Sequence, residues 1–198
     1  MFHRRAFTLI ELLIVVAIIA ILAAIAVPNF LEAQTRAKVS RVKSDLRTLA
    51  TGLETYTIDN NHPPYDGLFG QPHGGWVNSL RRLTTPISYL TEVPRDPFQD
   101  TTLTDTVAPG QSHFLNAPDK KNHSYDYGSS VWHGFPQDPG GSVQWSKNFR
   151  DSTWKIGSAG PDRRFDAPGS FYGMKELYDP TNGTTSEGDV YRTRGGQL

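Results

Sequence analysis

The sequence predicts an α+β fold in which a long N-terminal helix packs against a small antiparallel sheet with long loops. Residues 7–27 are apolar except at two positions, which predicts that the first half of this helix spans a membrane. Apolar residues then recur at helical spacing as far as residue 56, and three short segments with strand-like alternation follow after residue 120. A helix with one apolar face needs a partner layer, and three strands provide one. The overall shape is a rod with a head at one end.

The apolar run has the length of a membrane span but contains one carboxylate. Leu, Ile, Val or Phe fill 14 of the 21 positions in residues 7–27. As a helix this run is about 31 Å long, close to the ~30 Å hydrocarbon core of a bilayer. One central charge opposes insertion by ~3 kcal/mol, while the 14 apolar residues favour it by roughly 4–8 kcal/mol. Glu11 therefore does not prevent insertion, and a carboxylate in a membrane is a functional candidate that needs a partner.

A short basic leader precedes this run, and the two together resemble the N-terminal signal of type IV pilins and type II secretion pseudopilins. Arg4, Arg5 and Ala6 are followed abruptly by Phe7, with Glu11 four residues further on. The resemblance implies that a prepilin peptidase/methyltransferase cuts after Ala6 and methylates the amine of Phe7. It also implies that this amine neutralises Glu11 of a neighbouring copy during assembly. The family nearly always has Gly before the cut, so Ala6 is a departure.

Two other interpretations of the N-terminus are weaker. A secretory signal peptide would use Arg4 and Arg5 as its basic region and the small residues 24–26 as its cleavage site. Its apolar core is usually only about 7–15 residues long, and a carboxylate is out of place there. A simple membrane anchor explains the length of the run but gives Glu11 no purpose.

Composition restricts the function of the remainder. The chain has 20 basic and 20 acidic residues, and loss of Arg4 and Arg5 with the leader would leave 18 against 20. This balance argues against a nucleic-acid-binding protein. The sequence divides into a leader (1–6), a transmembrane and polymerisation helix (7–27), an amphipathic continuation (28–60) and a globular head (61–198). The chain has no Cys, so disulfides cannot stabilise a small exported head.

The helix is expected to continue past Pro28, which should kink or loosen it without ending it. An apolar stripe predicts an amphipathic helix to about residue 59, because its members are spaced by three or four residues. The stripe consists of Val39, Val42, Leu46, Leu49, Leu53 and Tyr56. Pro63 and Pro64 then end the helix. The basic residues of 36–47 either face solvent or meet lipid head groups or a neighbouring subunit.

The head is predicted to contain a short helix and three strands. Residues 76–83 read as a helix with Trp76, Leu80 and Leu83 on one face, and residues 89–98 resemble the Tyr-Leu and Pro-x-Asp-Pro segment of major pseudopilins. The predicted strands are 124–128, 154–158 and 189–193, and the intervening segments 99–122 and 129–152 have no readable path. Trp132, Trp145 and Trp154 are expected in the core rather than on a binding surface.

The C-terminal loops resemble the pseudopilin segment that binds calcium. The resemblance implies Asp162, Asp179 and Asp189 as ligands, with Ser158 and Asp166 as additional candidates. Calcium takes 6–8 oxygen ligands, and Gly-rich loops deliver them well. The spacing is not that of an EF-hand, and ordinary Asx turns explain the same residue types.

The sequence gives little support to an enzyme, and a metal-dependent hydrolase with Asp ligands is only a minor alternative. The six His residues lack the spacing of a helical zinc site, and neither a nucleophile elbow nor a phosphate-binding Gly loop is present. The resemblance implies an inner-membrane precursor with its head in the periplasm, which assembles with copies of itself, other pseudopilins and an inner-membrane platform. A type IV pilin and a membrane-anchored binding module that never polymerises remain the alternatives.

Overall fold

The computed structural model describes residues 7–65, 79–98, 125–130, 145–163, 177–181, 186 and 188–197. Its dominant element is helix α1, Leu9–Asn60, which runs for 52 residues and contains Pro28 without a break. At 1.5 Å per residue, α1 is about 78 Å long. Asn61 follows the last helical residue and caps the helix; its φ of 60° is the left-handed conformation typical of helix ends. The predicted continuous helix is therefore confirmed.

Four strands form one antiparallel sheet in the order β1-β2-β3-β4. They are β1 (Asp126–Ser129), β2 (Trp154–Ser158), β3 (Val190–Thr193) and β4 (Gly196–Gln197). The first three correspond to the predicted strands within two residues, and β4 was not predicted. In the β1–β2 register, Asp126 lies opposite Gly157 and Gly128 lies opposite Lys155. The α+β class and its antiparallel sheet are confirmed.

The core lies between α1 and one face of the sheet. Every residue of the predicted apolar stripe is buried there, at 9% exposure or less. Tyr127, Trp154, Ile156 and Val190 of the sheet join this cluster, and so do residues outside the sheet: Leu80, Leu83, Phe98 and Tyr125. Side chains alternate along a strand, so Lys155 and Tyr191 lie on the opposite face. The stripe on the outer half of α1 is thus buried by the sheet together with residues between 80 and 98.

The predicted short helix is present only in part among the described residues. A 3₁₀ turn covers Leu80–Leu83, and its Leu80 and Leu83 are buried as expected. Trp76 and segment 99–122 lie outside the described residues.

The described end of the second inserted segment, residues 145–149, covers the other face of the sheet. Residues 145–149 form a helical turn, and Trp145 and Phe149 are buried. Trp154 is buried too, so these two tryptophans belong to the interior as expected, whereas Trp132 lies outside the described residues. The small sheet is therefore covered on both faces.

Candidate functional site

The N-terminal half of α1 presents apolar side chains to its surroundings over its whole circumference. The large apolar residues between Phe7 and Leu31 are all roughly half exposed or more, and the head covers none of them. Among the described residues, α1 is the one helix long and apolar enough to cross a membrane. Signal sequences can have the same length and composition. The chemistry around Glu11 and the similarity to known proteins are therefore needed to tell a membrane-spanning helix from a signal sequence.

Glu11 has a partner within its own helix. Its Oε2 accepts hydrogen bonds from the Thr8 backbone N–H at 2.8 Å and from Thr8 Oγ1 at 2.9 Å. The Glu11 N–H in turn donates to Thr8 Oγ1 at 3.3 Å, which completes a capping box. A negative charge is also favoured at the positive end of the helix dipole. The carboxylate thus occupies the N-terminal end of α1, one turn from Phe7.

Thr8 is a residue that the sequence analysis missed. The signal was present, because a Thr three residues before a Glu at the start of an apolar run is the sequence pattern of a capping box. Ala6 lies outside the described residues, so the predicted cleavage and methylation stay predictions. The predicted contact between Phe7 and the Glu11 of a second copy also stays a prediction.

The basic residues of α1 mostly engage the chain's own groups. Two of them form ion pairs one turn apart, Arg36 with Glu32 and Arg41 Nε with Asp45 Oδ2 at 3.7 Å. Lys38 lies 5.9 Å from the centre of the Phe98 ring. The side chains of Arg36 and Arg41 themselves are mostly exposed, and ion pairs at a protein surface contribute little to stability, so the basic residues mainly form a solvated face.

The residues predicted to hold calcium have different environments. Ser158 is fully buried, and its Oγ accepts a hydrogen bond from the Gly160 N–H at 3.3 Å. Asp162 is half-buried in the turn after β2. Asp179 is exposed, and its Oδ1 accepts from both N–H and Oγ1 of Thr181 at 2.8 and 2.7 Å, as in an Asx turn.

Asp189 is the most buried of these candidates. It is 1% exposed, and its Oδ2 accepts a hydrogen bond from the Tyr191 hydroxyl at 2.9 Å. Asp189 therefore has a structural role whether or not it also binds a metal. Asp166 lies outside the described residues.

The backbone brings three loop segments together around Asp189. Leu177 forms a parallel bridge with Asp189, and the Tyr178 N–H donates to the Asp189 carbonyl at 2.9 Å. A Cβ on Gly160 would lie 2.6 Å from the Gly188 carbonyl oxygen. These backbone contacts bring the loops together, and the calcium prediction stays a prediction. Within the described segments, however, no three Asp, Glu, His or Cys side chains are grouped to hold a metal ion.

Asp96 is a second residue whose role the sequence analysis did not anticipate. It lies in the Pro-x-Asp-Pro segment, is 3% exposed, and its Oδ1 accepts from the Phe98 N–H at 2.9 Å. Burial is the main cause of its raised pKa, and the Asp45 carboxylate raises it further, whereas donors from Phe98 and Ser158 oppose the shift. Asp96 thus fixes this turn against the start of the C-terminal loops.

Comparisons with known proteins point to one family. The family described as "Prokaryotic N-terminal methylation motif" matches residues 1–27. The type IV major pilin protein PilA of Myxococcus xanthus is 58% identical over 54 residues, which are 27% of this chain and 24% of that protein. The type IV major fimbrial protein FimA of Dichelobacter nodosus is 43% identical over 76 residues, or 38% of this chain and 45% of FimA. The chain thus spans less than half the length of these two relatives.

A secretion protein aligns over a larger share. The type II secretion system core protein G of Pseudomonas aeruginosa is 35% identical over 101 residues, which are 48% of this chain and 69% of that protein. No solved structure matches the chain significantly. A methylation motif on a long apolar helix that carries an α+β head defines a prepilin-type protein. The chain belongs to the family of type IV pilins and type II secretion pseudopilins, and its apolar N-terminal helix fits anchoring in a membrane.

Proposed function

We propose that this chain is a structural subunit of a type II secretion pseudopilus rather than an enzyme. The supporting observation is the extent of the similarity to core protein G. That alignment covers 101 residues, more than the leader and α1 together, so it includes part of the head. The alignments to PilA and FimA cover 54 and 76 residues and carry higher identity, and the alignment to FimA also extends past α1. A type IV pilin subunit is therefore the second candidate.

The proposed life cycle follows from the N-terminus. The precursor inserts in the inner membrane with its head in the periplasm, a peptidase cuts after Ala6, and the amine of Phe7 is methylated. The mature subunit then joins copies of itself through the apolar half of α1, together with other pseudopilins and an inner-membrane assembly platform. A subunit stored in the bilayer keeps Glu11 hydrogen-bonded to Thr8 until an incoming amine can approach it.

Mass spectrometry of the mature N-terminus tests the processing step. We expect a chain that begins with methylated Phe7, and Ala6→Gly should give the same product. A chain that begins at Val27 would indicate an ordinary signal peptide and would overturn the proposal.

Substitution of Glu11 tests assembly. Glu11→Ala should insert and be processed, since removal of the charge eases insertion by about 3 kcal/mol. Filaments should nevertheless fail to form, because the carboxylate is needed for subunit contacts. Glu32→Ala is the matched control, because it removes a carboxylate that pairs with Arg36 on the same helix outside the apolar run. Wild-type filament yield from Glu11→Ala would refute the assembly role.

A deletion strain separates the two candidate functions. Loss of protein secretion with surface pili intact supports the pseudopilus, whereas loss of surface pili with secretion intact supports the type IV pilus. Electron microscopy after overexpression shows whether the subunit forms filaments at all. A subunit that never polymerises would be a membrane-anchored binding module.

Calcium binding by the C-terminal loops is a separate proposal. The residues that would hold the ion are Asp162, Asp179 and Asp189, with Ser158 and Asp166 as further candidates. Support comes from the convergence of the three loop segments around Asp189 and from the oxygen-rich chemistry of those loops. A bound calcium would tie these loops together in a chain that has no cysteine.

Thermal unfolding of the purified chain tests the calcium proposal. Binding to the folded state alone adds about 2.7 kcal/mol when calcium is 100-fold above Kd. We expect a Tm several degrees higher in calcium than in chelator, with magnesium less effective because it demands a tighter octahedral shell. Asp162→Asn should remove the difference. Asp189→Ala is a poor test, since loss of the bond from Tyr191 would lower the Tm in both buffers. Equal melting of the wild type in calcium and chelator would refute the site.

A further inference from the structure

A buried ion pair lies on the face of the sheet that points away from α1. Lys155 Nζ is 2.7 Å from Asp126 Oδ2, and the two side chains are 4% and 2% exposed. Lys and Asp are rarely buried to this extent. This pair takes no part in the proposed membrane or filament functions, and its chemistry is independent of them.

Glycines on the paired strands make room for the contact. Lys155 lies opposite Gly128 and Asp126 lies opposite Gly157, so the two charged residues are diagonal neighbours on one face of the β1–β2 pair. A Cβ on Gly128 would lie 3.0 Å from Lys155 Cε. The Lys155 side chain therefore crosses over Gly128, where the Cβ of any other residue would press against it. Its amine lies beside the Asp126 carboxyl group.

Aromatic rings surround the amine. Lys155 Nζ lies 5.5 Å from the centre of the Phe149 ring and 5.4 Å from that of Tyr191. Asp126 Oδ1 is buried and accepts no hydrogen bond among the described residues. Burial of two charges is costly when their remaining hydrogen-bonding capacity is unmet. A product without charges would remove this cost.

We propose that Lys155 and Asp126 form an intramolecular amide bond. A proton first passes from the ammonium to the carboxylate across their hydrogen bond. The Lys155 amine then attacks Asp126 Cγ and gives up one more proton. One carboxyl oxygen leaves as water with this proton and the one transferred first, so that a C–N bond replaces the C–O bond and the amide nitrogen keeps one hydrogen. The condensation needs neither an oxidant nor a cofactor. Groups held in contact react with effective concentrations up to about 10⁵–10⁸ M, and the surrounding rings keep out the water that would reverse the step.

The bond would be a covalent cross-link in a chain that has no cysteine. It would join β1 to β2 and close the segment 126–155. A cross-link of this kind acts as a disulfide does, by restricting the unfolded chain. It would also be insensitive to reducing agents.

Mass spectrometry of the purified full-length protein tests the proposal. The wild type should be lighter than its sequence by about 18 Da, one water, after N-terminal processing is accounted for. Trypsin does not cut after an acylated lysine, so segment 151–163 should remain uncut and be recovered joined to segment 122–147. Lys155→Arg should have the mass of its own sequence. Lys147→Arg, the same change at an exposed lysine, should still lack one water.

Each alternative result overturns the proposal. A wild-type mass equal to that of the sequence would leave Lys155 and Asp126 as a hydrogen-bonded ion pair. A water loss that persists in Lys155→Arg would place the dehydration elsewhere, for example at the Asp66-Gly67 sequence. The wild-type peptide measurement needs no variant to fold, so it decides the matter even if Lys155→Arg is unstable.

Discussion

Alanine at position 157 should destabilise the head, because the ring of Tyr191 occupies the place of the added methyl group. A Cβ on Gly157 would lie 2.5 Å from both Cδ1 and Cε1 of that ring, whereas carbon atoms in contact are normally about 3.5–4.0 Å apart. The ring cannot easily move, since Tyr191 is 1% exposed, donates to Asp189 and packs against Phe149 at 6.3 Å. Overpacking of this kind costs about 1–3 kcal/mol. For a head of this size the Tm should fall by roughly 3–10 °C.

Thermal unfolding followed by tryptophan fluorescence measures this effect, since every tryptophan of the chain lies in the head. Gly195→Ala is the matched control, because a Cβ there would have only Thr193 Oγ1 nearby, at 3.8 Å. Combining Gly157→Ala with Tyr191→Leu should cost less than the two single changes together, since the smaller side chain makes room. A Gly157→Ala protein that melts with the wild type would refute the steric argument, and so would an equal loss in Gly195→Ala.

Two further predictions concern the junction between α1 and the rest of the head. The raised pKa of Asp96 means that the folded state binds the proton more tightly than the unfolded state. The contribution of Asp96 to the stability of the fold is therefore largest below its ordinary pKa of about 4 and is lost as the pH rises. Asp96→Asn keeps an acceptor for the Phe98 N–H, so its Tm should exceed that of the wild type at neutral pH and converge with it in acid; a constant difference at every pH would contradict this. Leu49→Ala should lower the stability by about 2–5 kcal/mol because Leu49 is fully buried, whereas Thr51→Ala should change it little because Thr51 is exposed. Chemical denaturation measures both variants. Equal losses of stability would show that the stripe does not anchor the head.

The elements with a regular pattern could be predicted from the sequence. The stripe from Val39 to Tyr56 has strict helical spacing, and the two prolines that follow it mark its end, so both helix extent and buried face were predictable. Strand β4 was not, because Gly196–Gln197 is too short to show an alternation. Only its pairing with β3 reveals it as a strand.

The missed residues are those whose environment depends on distant parts of the chain. A lysine in the middle of a strand predicts a solvent-facing position, yet Lys155 is buried because residues 145–149 cover that face. Asp96 likewise looks like an ordinary turn residue until Ser158 and Phe98 are seen beside it.

The candidate sites show the same contrast between features set by neighbouring residues, which could be predicted, and features that depend on distant residues, which could not. The apolar run and Glu11 are adjacent in sequence, so local chemistry could be predicted, including the missed cap by Thr8. A metal site in the loops depends on how several segments converge, and residue types alone do not specify that geometry. This is why the N-terminal prediction names individual contacts, while the calcium prediction names only candidates.

The arrangement of α1 and the sheet has a consequence for how the protein folds as it is made. The apolar stripe on α1 is completed at Tyr56, but Val190, which covers part of it, follows 134 residues later. At about 5–20 residues per second, synthesis needs roughly 7–27 s to bridge that interval. During this time the stripe is an incompletely covered amphipathic surface joined directly to an apolar span, a form that favours lying along a bilayer surface. The waiting time before the last strands arrive, rather than the strength of the finished core, therefore sets how long the nascent chain is exposed to misassembly.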